Sequence, residues 1–317
     1  MAKPDLPGPR SQTPILLAGP TAVGKSEIAL QLAERLGGEI ISADSMQVYR
    51  GLDIGTAKPS PADRARVPHH LIDICDLTES FDAAQFARLA QRAASEIQLR
   101  GHVPILCGGT GLYLKAFLEG LGEAPSADAK LRAELEATPL EKLLEELRER
   151  DPATFEKIDR KNPRRVVRAV EVIRLTGRPF SGGRSQRSEV RGRRPGYFCL
   201  TRAMDDLRRR IDARVDAMFA HGLVDETREL LKHGLAENKT AMQAIGYRQV
   251  VEYLRAGPRK LSGLADTIEL VKTRTRQFAK RQLTWFRAQK NLEWIELNQG
   301  ELLETVVENL LRKLDAA

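Results

Sequence analysis

Short apolar runs alternate with longer stretches of helical periodicity along the first third of the chain. The runs are bounded by proline, glycine or polar residues, which is typical of buried strands. They cover residues 15–18, 39–43, 71–75 and 103–107. Between them, segments 25–36 and 86–97 place apolar side chains three or four positions apart, which predicts amphipathic helices. Strands that alternate with helices are typical of α/β proteins, so we predict a parallel sheet.

The pattern changes near Pro125. Residues 127–176 are rich in Ala, Leu, Glu and Arg and contain no strand-like run, which predicts helices alone. Helix starts are indicated by Ser126, Thr138 and Asp151. A stretch rich in Gly, Arg and Ser follows at 177–196 and is typical of a linker.

The chain then returns to the core pattern. Residues 197–200 predict one more strand, and from Asp205 onward the periodicity is mostly helical. We therefore predict three parts with different roles. They are a flexible tail at 1–13, an α/β core formed by 14–124 and 197–317, and an all-α insertion domain at 125–196.

A glycine-rich loop lies between the first predicted strand and the first predicted helix. It reads Gly19-Pro20-Thr21-Ala22-Val23-Gly24-Lys25-Ser26 and fits the pattern G-x-x-x-x-G-K-[ST]. A strand, glycine loop and helix in this order aim backbone N–H groups at an anion; Lys25 adds a charge and Ser26 a hydroxyl for Mg²⁺. This phosphate loop predicts a P-loop NTPase-like core that binds phosphate or diphosphate. The loop alone does not identify the ligand as ATP.

Two further loops leave the carboxyl ends of predicted strands, at 44–58 and 108–113. Ligands of parallel sheets bind beyond these strand ends, so we expect both loops to meet the phosphate loop. Asp44 could hold Mg²⁺ through water, accept a proton from a nucleophile, or cap a turn. Thr110 could bind a polar group of a substrate or cap the helix that follows.

Arg210 and Arg214 lie four positions apart on a predicted helix, so both could reach one anion. The alternative is a solvated helix face on which these arginines pair with Asp212 or Asp216.

The charge of the chain is unevenly distributed. The formal net charge is +8, and residues 271–292 contain seven Lys or Arg residues and no Asp or Glu. A second basic segment, 184–194, contains five arginines and one glutamate. Two such segments favour a partner that is a longer polyanion than a nucleotide. The alternative is a solvated helix face and a basic loop.

Three dispersed cysteines, Cys75, Cys107 and Cys199, lie in apolar runs and predict reduced core thiols of a cytoplasmic protein. The longest apolar runs are too short to span a membrane, so we expect no membrane partner. The pair His69-His70 lacks carboxylates at ligand spacing, and we predict no metal site built from protein ligands alone. Nothing in the pattern indicates an obligate oligomer, and we expect a monomer.

These features fit a nucleotide kinase nearly as well as any other class. Longer strings of residues narrow the choice: GPTAVGKS, ISADSMQVYRGLDIGTAKP, CGGTGLYLKAFLEGL, AIGYRQ and AKRQLTWFR. Together they resemble the tRNA dimethylallyltransferase family, also called tRNA isopentenyltransferases. The resemblance covers 14–296, and the second string is the most specific. The zinc-finger extension of some eukaryotic members is absent, which indicates the bacterial type.

The resemblance implies a reaction that composition and spacing do not show. The family transfers the dimethylallyl group of dimethylallyl diphosphate to N6 of the adenosine 3′-adjacent to the anticodon in tRNA, with Mg²⁺ as cofactor. Lys25 and the rest of the phosphate loop correspond to the family's positions around the diphosphate, and Ser26 to its Mg²⁺ position. Asp44 corresponds to the general base, Thr110 to a contact of the adenosine, and Arg214 to an arginine near the diphosphate.

Further family positions contact the anticodon stem-loop of the tRNA. In this chain they correspond to Asp44, Ser45, Met46, Gln47, Thr110, Arg132, Arg164, Arg165, Val166, Val167, Arg168, Met242, Gly246, Tyr247, Arg248, Lys280, Arg281, Gln282, Trp285 and Arg287. The alternative functions are a P-loop kinase of a small molecule or nucleotide, a prenyltransferase of free adenylate, and a non-enzymatic RNA-binding protein. The insertion and the basic C-terminal helix favour tRNA, because a mononucleotide does not need them.

Overall fold

The coordinates are a computed structural model. They describe residues 13–120, 125, 128–183, 196–256 and 263–316. The predicted tail, apart from Thr13, and the basic segment 184–194 lie outside the described residues. The chain forms two compact units. The first comprises Met1–Leu118 and Arg191–Ala317, and the second comprises Glu119–Val190.

A parallel sheet of six strands forms the centre of the first unit, in the order β3-β2-β4-β1-β5-β6. The strands are β1 Ile15–Ala18, β2 Gly38–Ala43, β3 His69–His70, β4 Val103–Gly108, β5 Tyr197–Thr201 and β6 Glu293–Glu296. Strands β1, β2 and β4 are almost wholly buried, as expected for a parallel sheet covered by helices on both faces. The predicted α/β class is confirmed.

Helices account for most of the remaining described residues. In chain order they are α1 Lys25–Leu36, α2 Pro61–Arg66, α3 Ala83–Leu99, α4 Gly111–Glu119, α5 Ala129–Ala137, α6 Leu140–Arg150, α7 Pro152–Lys157, α8 Pro163–Thr176, α9 Met204–Ala220, α10 Leu223–Lys232, α11 Tyr247–Ala256, α12 Leu264–Arg287 and α13 Leu303–Asp315. Within this set, none is both long and apolar enough to cross a membrane.

Successive strand residues point to opposite faces of the sheet, and this divides the core in two. Leu16 and Leu106 pack with α3, α4, α10 and α11 on one face. Leu17 and Ile105 pack with α1, α9, α12 and α13 on the other. Helices α5–α8 have a separate apolar core of their own in the second unit. The three cysteines are buried and free, as predicted.

The expectation of a strand at 71–75 is wrong. The strand here is only His69–His70, and the backbone then turns, because Leu71 and Asp73 take left-handed φ values of 62° and 55°. The Asp73 carboxylate binds Lys58 and Arg64, which holds this turn against the loop 44–58. Leu71, Ile72 and Cys75 of this run are therefore buried without extending the sheet, and Ile74 is exposed.

Strand β6 was not predicted, because it has four residues at the edge of the sheet and too few apolar positions to show a period. Helix α5 begins at Ala129 behind Asp128, and the expected start at Ser126 lies outside the described residues. Thr138 ends α5 and does not start α6. The start at Asp151 is confirmed: its carboxylate accepts a hydrogen bond from the Thr154 N–H at 3.0 Å.

A buried carboxylate lies at the amino end of the sheet. Glu39 is 3% exposed, and both its oxygens accept hydrogen bonds from Arg100, at 2.7 and 3.2 Å. His70 Nε2 and His102 Nδ1 lie 2.6 and 2.7 Å from the same carboxylate. Burial alone would raise the pKa of Glu39, but the hydrogen bonds from Arg100, His70 and His102 lower it to about 2.

We expect Glu39→Gln to reduce the loss of stability in acid. A carboxyl whose folded pKa is depressed stabilises the fold above its unfolded value of 4.5, and this contribution disappears as the pH falls towards 2. For Glu39 it amounts to about 3 kcal/mol. Denaturant unfolding between pH 7 and pH 2 should show this extra slope in the wild type and in Glu308→Gln, an exposed control. An unchanged slope in Glu39→Gln would contradict the assignment.

Candidate active site

The phosphate loop turns tightly between β1 and α1. Gly19 and Gly24 have φ values of 147° and 110°, in the region that favours glycine. A Cβ on Gly19 would lie 2.7 Å from the carbonyl oxygen of Leu200, so a side chain has no room there. These two glycines place the loop amides and the start of α1 at the carboxyl edge of the sheet.

Lys25 is a desolvated cation at the first position of α1. Its Nζ donates a hydrogen bond to the Pro20 carbonyl oxygen at 2.6 Å. It forms no ion pair with a carboxylate in the part of the chain that the structure describes. Burial lowers the pKa of Lys25 to about 8; the charge of Arg214 adds to this effect, and the charge of Asp44 opposes it. A cation held in this way favours an anionic ligand.

Arginines from two other elements bind the backbone of the phosphate loop. Arg210 Nε donates to the Ala22 carbonyl oxygen at 2.9 Å, and Arg202 Nε donates to that of Val23 at 2.8 Å. Arg202 is not among the residues expected from the sequence; its place directly after β5 is the signal that points to it. Arg214 is half-buried; desolvation lowers its pKa, while the charges of Asp44 and Glu27 oppose that shift.

The carboxylates expected as alternative partners for these arginines are used elsewhere. Asp212 binds Arg276 at 2.6 Å, and Asp216 binds Lys272 at 2.8 Å. Arg276 and Lys272 are residues of α12. The interpretation that Arg210 and Arg214 pair with Asp212 or Asp216 is therefore wrong. Among the described residues, neither arginine forms an ion pair, so both remain available to an anion.

Asp44 and Thr110 lie beside each other across the strand ends of β2 and β4. Asp44 Oδ1 accepts a hydrogen bond from the Met46 N–H at 2.8 Å, so this oxygen caps a turn. Its Oδ2 has no hydrogen bond to another described residue and can accept a proton. Thr110 Oγ1 accepts from the Ser45 N–H at 3.2 Å, which leaves the hydroxyl hydrogen for another acceptor. Of the three roles expected for Asp44, the turn cap by Oδ1 and proton acceptance by Oδ2 are therefore compatible.

Gln47 holds the loop 44–58 together from inside. Its Nε2 donates to the carbonyl oxygens of Thr56 and Ala57 at 3.3 and 3.4 Å, and its Oε1 accepts from Ser42 Oγ at 2.8 Å. Arg214 Nη2 lies 3.5 Å from the same Thr56 oxygen. The buried amide of Gln47 therefore holds the part of the loop 44–58 that contacts Arg214.

Tyr247 supports this loop from the helical side. Its hydroxyl accepts a hydrogen bond from the Gly55 N–H at 3.0 Å and donates one to Glu226. Glu226 in turn accepts from the Ile54 N–H at 3.0 Å. Burial, together with the charge of Glu226, raises the pKa of Tyr247 far above its usual value. The ring is fully buried, so the side chain supports the loop from within and offers no surface to RNA.

The structure divides the other residues expected to contact tRNA into two groups. Val166 and Val167 lie in the core of the second unit, while Met242 packs against the core of the first. Arg132 and Arg168 both bind the buried Glu171, and Arg248 binds Glu252. Five of the expected tRNA contacts are exposed cations without a carboxylate partner among the described residues: Arg164, Arg165, Lys280, Arg281 and Arg287.

Three expected positions lie at turns or against glycines. Gly246 has a φ of 100° and donates its N–H to Gln249 Oε1. Trp285 packs on Gly111, and Gln282 is buried between the phosphate loop and the loop 108–113. No cluster of three or more His, Cys, Asp or Glu residues in the described ranges is arranged to hold a metal ion.

A protein family and curated relatives match this chain over most of its length. The family described as IPP transferase matches residues 47–289. The chain is 46% identical over 288 residues to tRNA dimethylallyltransferase 1 of Citrifermentans bemidjiense, covering 89% of this chain and 91% of the relative. It is 47% identical over 290 residues to the tRNA dimethylallyltransferase of Geobacter sulfurreducens, covering 89% and 91%.

Solved structures show the same likeness. The full-length tRNA isopentenylpyrophosphate transferase of Bacillus halodurans superposes with a TM-score of 0.69 at 40% identity, covering 96% of this chain and 98% of that one. A eukaryotic dimethylallyltransferase acting on tRNA gives a TM-score of 0.78 at 28% identity, covering 93% and 76%. With a family match over more than half of its length and relatives at this identity, the chain belongs to the tRNA dimethylallyltransferase family.

Proposed function

We propose that this protein transfers the dimethylallyl group of dimethylallyl diphosphate to N6 of the adenosine 3′-adjacent to the anticodon in tRNA and releases diphosphate. Family membership supports the reaction class. One observation of the site carries the proposal. Lys25, Arg210 and Arg214 surround the phosphate loop without carboxylate partners among the described residues, while Asp44 and Thr110 face the same strand ends.

The donor's diphosphate fits the positive end of this site. As the bond between the allylic carbon and the diphosphate oxygen breaks, the bonding electrons leave with diphosphate and its negative charge grows. Fixed cations such as Lys25 and Arg214 stabilise that charge most at the transition state, because they are already desolvated and need no reorganisation. The loop amides and the start of α1 add partial positive charge.

The adenosine fits the other end. Its N6 amine is a weak nucleophile, because the lone pair is delocalised into the ring. In the transfer, N6 forms the new bond to the allylic carbon, and Asp44 Oδ2 accepts the proton that N6 loses. The Thr110 hydroxyl, whose oxygen already accepts from Ser45, donates its hydrogen to an acceptor atom of the base.

Mg²⁺ fits the donor side of the site. Ser26 is exposed at the start of α1, and its hydroxyl forms no hydrogen bond to another described residue. A hard oxygen of this kind, together with diphosphate oxygens, is the donor set that Mg²⁺ prefers. When bound there, the ion supplies further charge neutralisation for the leaving group.

The exposed cations fit the tRNA backbone. We assign RNA contacts to Lys280, Arg281 and Arg287 of α12 and to Arg164 and Arg165 of the second unit. A base that reacts must leave its stack, which costs a few kcal/mol, and phosphate contacts around it offset this cost. A mononucleotide acceptor would not need them, which favours tRNA over free adenylate.

Incubation with labelled dimethylallyl diphosphate and Mg²⁺ tests the proposal directly. We expect the label in unmodified tRNA and none in AMP or ATP. In the same assay Asp44→Asn should lower the rate by about 10²- to 10⁴-fold, because the amide keeps the turn cap to Met46 but accepts no proton. Asp76→Asn, an exposed loop carboxylate, is the control. Labelled AMP, or a rate for Asp44→Asn within threefold of wild type, would overturn the assignment.

We expect donor affinity to fall at alkaline pH. Lys25 has a lowered pKa of about 8, so it is charged below that pH and loses its proton above it. The dissociation constant of the donor should therefore rise about tenfold per pH unit above the pKa of the free enzyme, which is about 8, and level off above the higher pKa of the donor-bound enzyme. Lys25→Met should bind the donor about 10- to 100-fold more weakly at pH 7 and show no such rise. A wild-type affinity that is constant up to pH 10 would exclude Lys25 from the diphosphate site.

Affinity for tRNA should depend steeply on salt. Neutralising Lys280 and Arg281 to glutamine should flatten the log–log slope by roughly two units and leave donor binding unchanged. The control neutralises Arg92 and Lys232, two exposed cations whose charges are already paired with Glu96 and Glu229. If the control flattened the slope as much as the test pair, the unpaired charges would have no special role in RNA binding.

A further inference from the structure

Gln282 of α12 joins the two halves of the site. The side chain is buried, with 7% of the residue exposed. Its Oε1 accepts a hydrogen bond from the Thr21 N–H of the phosphate loop at 2.9 Å. Its Nε2 donates to the Gly109 carbonyl oxygen at 2.9 Å. One planar amide therefore connects the loop assigned to the donor with the loop that carries Thr110.

The glycines on both sides of Thr110 leave room for α12. A Cβ on Gly109 would lie 2.3 Å from Gln282 Nε2, and a Cβ on Gly111 would lie 2.4 Å from the Trp285 ring. Gln282 and Trp285 are three positions apart and share one face of the helix. The side chains of Gln282 and Trp285 pack against the backbone on either side of Thr110. This packing restricts the position of the Thr110 hydroxyl.

A glutamine side chain has the length and the two amide groups needed to bond both the Thr21 N–H and the Gly109 carbonyl oxygen. The Thr21 N–H can only donate and the Gly109 carbonyl can only accept, so the amide has one possible orientation. A glutamate would place a carboxylate oxygen against the Gly109 carbonyl. A methionine would remove the partner of the half-buried Thr21 N–H and that of the buried Gly109 carbonyl oxygen.

The helix that carries Gln282 is itself fixed. Asp212 and Asp216 of α9 bind Arg276 and Lys272 of α12, so the two helices are joined by ion pairs. Helix α9 also carries Arg210, which binds the phosphate loop at Ala22. Helix α12 is thus tied to the donor side through α9 and through Gln282, and to the acceptor side through Gln282 and Trp285.

We propose that Gln282 is a positioning residue that sets the distance between the bound diphosphate donor and the reacting adenosine. It contacts neither substrate, and its amide aligns the two loops that do. The inference rests on the proposed function and assigns Gln282 a role other than RNA contact. Transfer between two bound substrates is sensitive to such alignment, because a displacement of about 1 Å can cost about 10²-fold in rate.

Substitution by methionine, which is similar in length and has no amide, tests the role. For Gln282→Met we expect kcat to fall about 10- to 100-fold, while the KM of the donor and the tRNA dissociation constant stay within threefold. The exposed residue Gln277 of the same helix supplies the matched control, Gln277→Met, which should behave as wild type. Thermal unfolding of both variants shows whether the fold is intact.

A second variant provides a rescue. In Gln282→Glu the carboxylate repels the Gly109 carbonyl, whereas the protonated acid can donate to it as the amide does. The rate of Gln282→Glu relative to wild type at the same pH should therefore rise as the pH falls from 8 to 5.5. A ratio that does not change with pH, in a folded variant, contradicts the role of the donated hydrogen bond.

Two outcomes would overturn the proposal. The first is a Gln282→Met variant that loses tRNA affinity but transfers at the wild-type rate once saturated, since this identifies an RNA contact. The second is a Gln282→Met variant with normal kcat in which hydrogen exchange at the Thr21 amide is faster than in wild type. The faster exchange would show that the hydrogen bond from Thr21 to residue 282 is lost, and the normal kcat would show that this loss does not affect transfer. Failure of the wild type to modify tRNA is a different result and would reject the proposed function itself.

Discussion

Positive charge held away from water at the carboxyl edge of the sheet is the constraint on which the rest of the structure depends. Lys25 and Arg214 are half-buried, and their desolvation disfavours the charged forms and lowers the pKa of each. Their neighbours in the described residues are mainly backbone carbonyls, such as those of Pro20 and Thr56, which offset only part of that cost. The fold keeps these cations in place because the elements carrying them are fixed elsewhere, as α9 is by its ion pairs to α12.

Buried and half-buried polar side chains, some within the loops and some from distant parts of the chain, hold the loops around this charge. Gln47 binds the carbonyls of Thr56 and Ala57, the Tyr247–Glu226 pair binds the amides of Ile54 and Gly55, and Gln282 binds Thr21 and Gly109. Each uses its hydrogen bonds on backbone groups that are buried or partly buried. Their presence in specific sequence motifs therefore reflects the support of the loops as well as any contact with a substrate.

Much of the architecture could be predicted from the chain, and the failures have clear causes. Strands β1, β2 and β4 and helices α1 and α3 show strong periodicity or long apolar runs, and they formed as expected. Residues 71–75 are equally apolar, but the left-handed φ values at Leu71 and Asp73 and the ion pairs of Asp73 turn the backbone away from the sheet. Strand β6 is stabilised by pairing with β5, which is a long-range contact without a local signal.

The sequence by itself determined which chemical groups the site contains, because the glycine spacing, Lys25, Asp44 and Thr110 each follow a strand whose end is readable from local pattern. Only the tertiary structure decided which polar groups are available to a ligand. Arg132 and Arg168 are occupied by Glu171, whereas Arg164 and Arg165 have no carboxylate partner among the described residues. Whether a polar side chain is available depends on partners far away in the chain. For Gln282, the two hydrogen-bond partners lie 261 and 173 positions away. Hydrogen bonds and ion pairs are short-range in space and independent of sequence separation, so their assignment requires the fold.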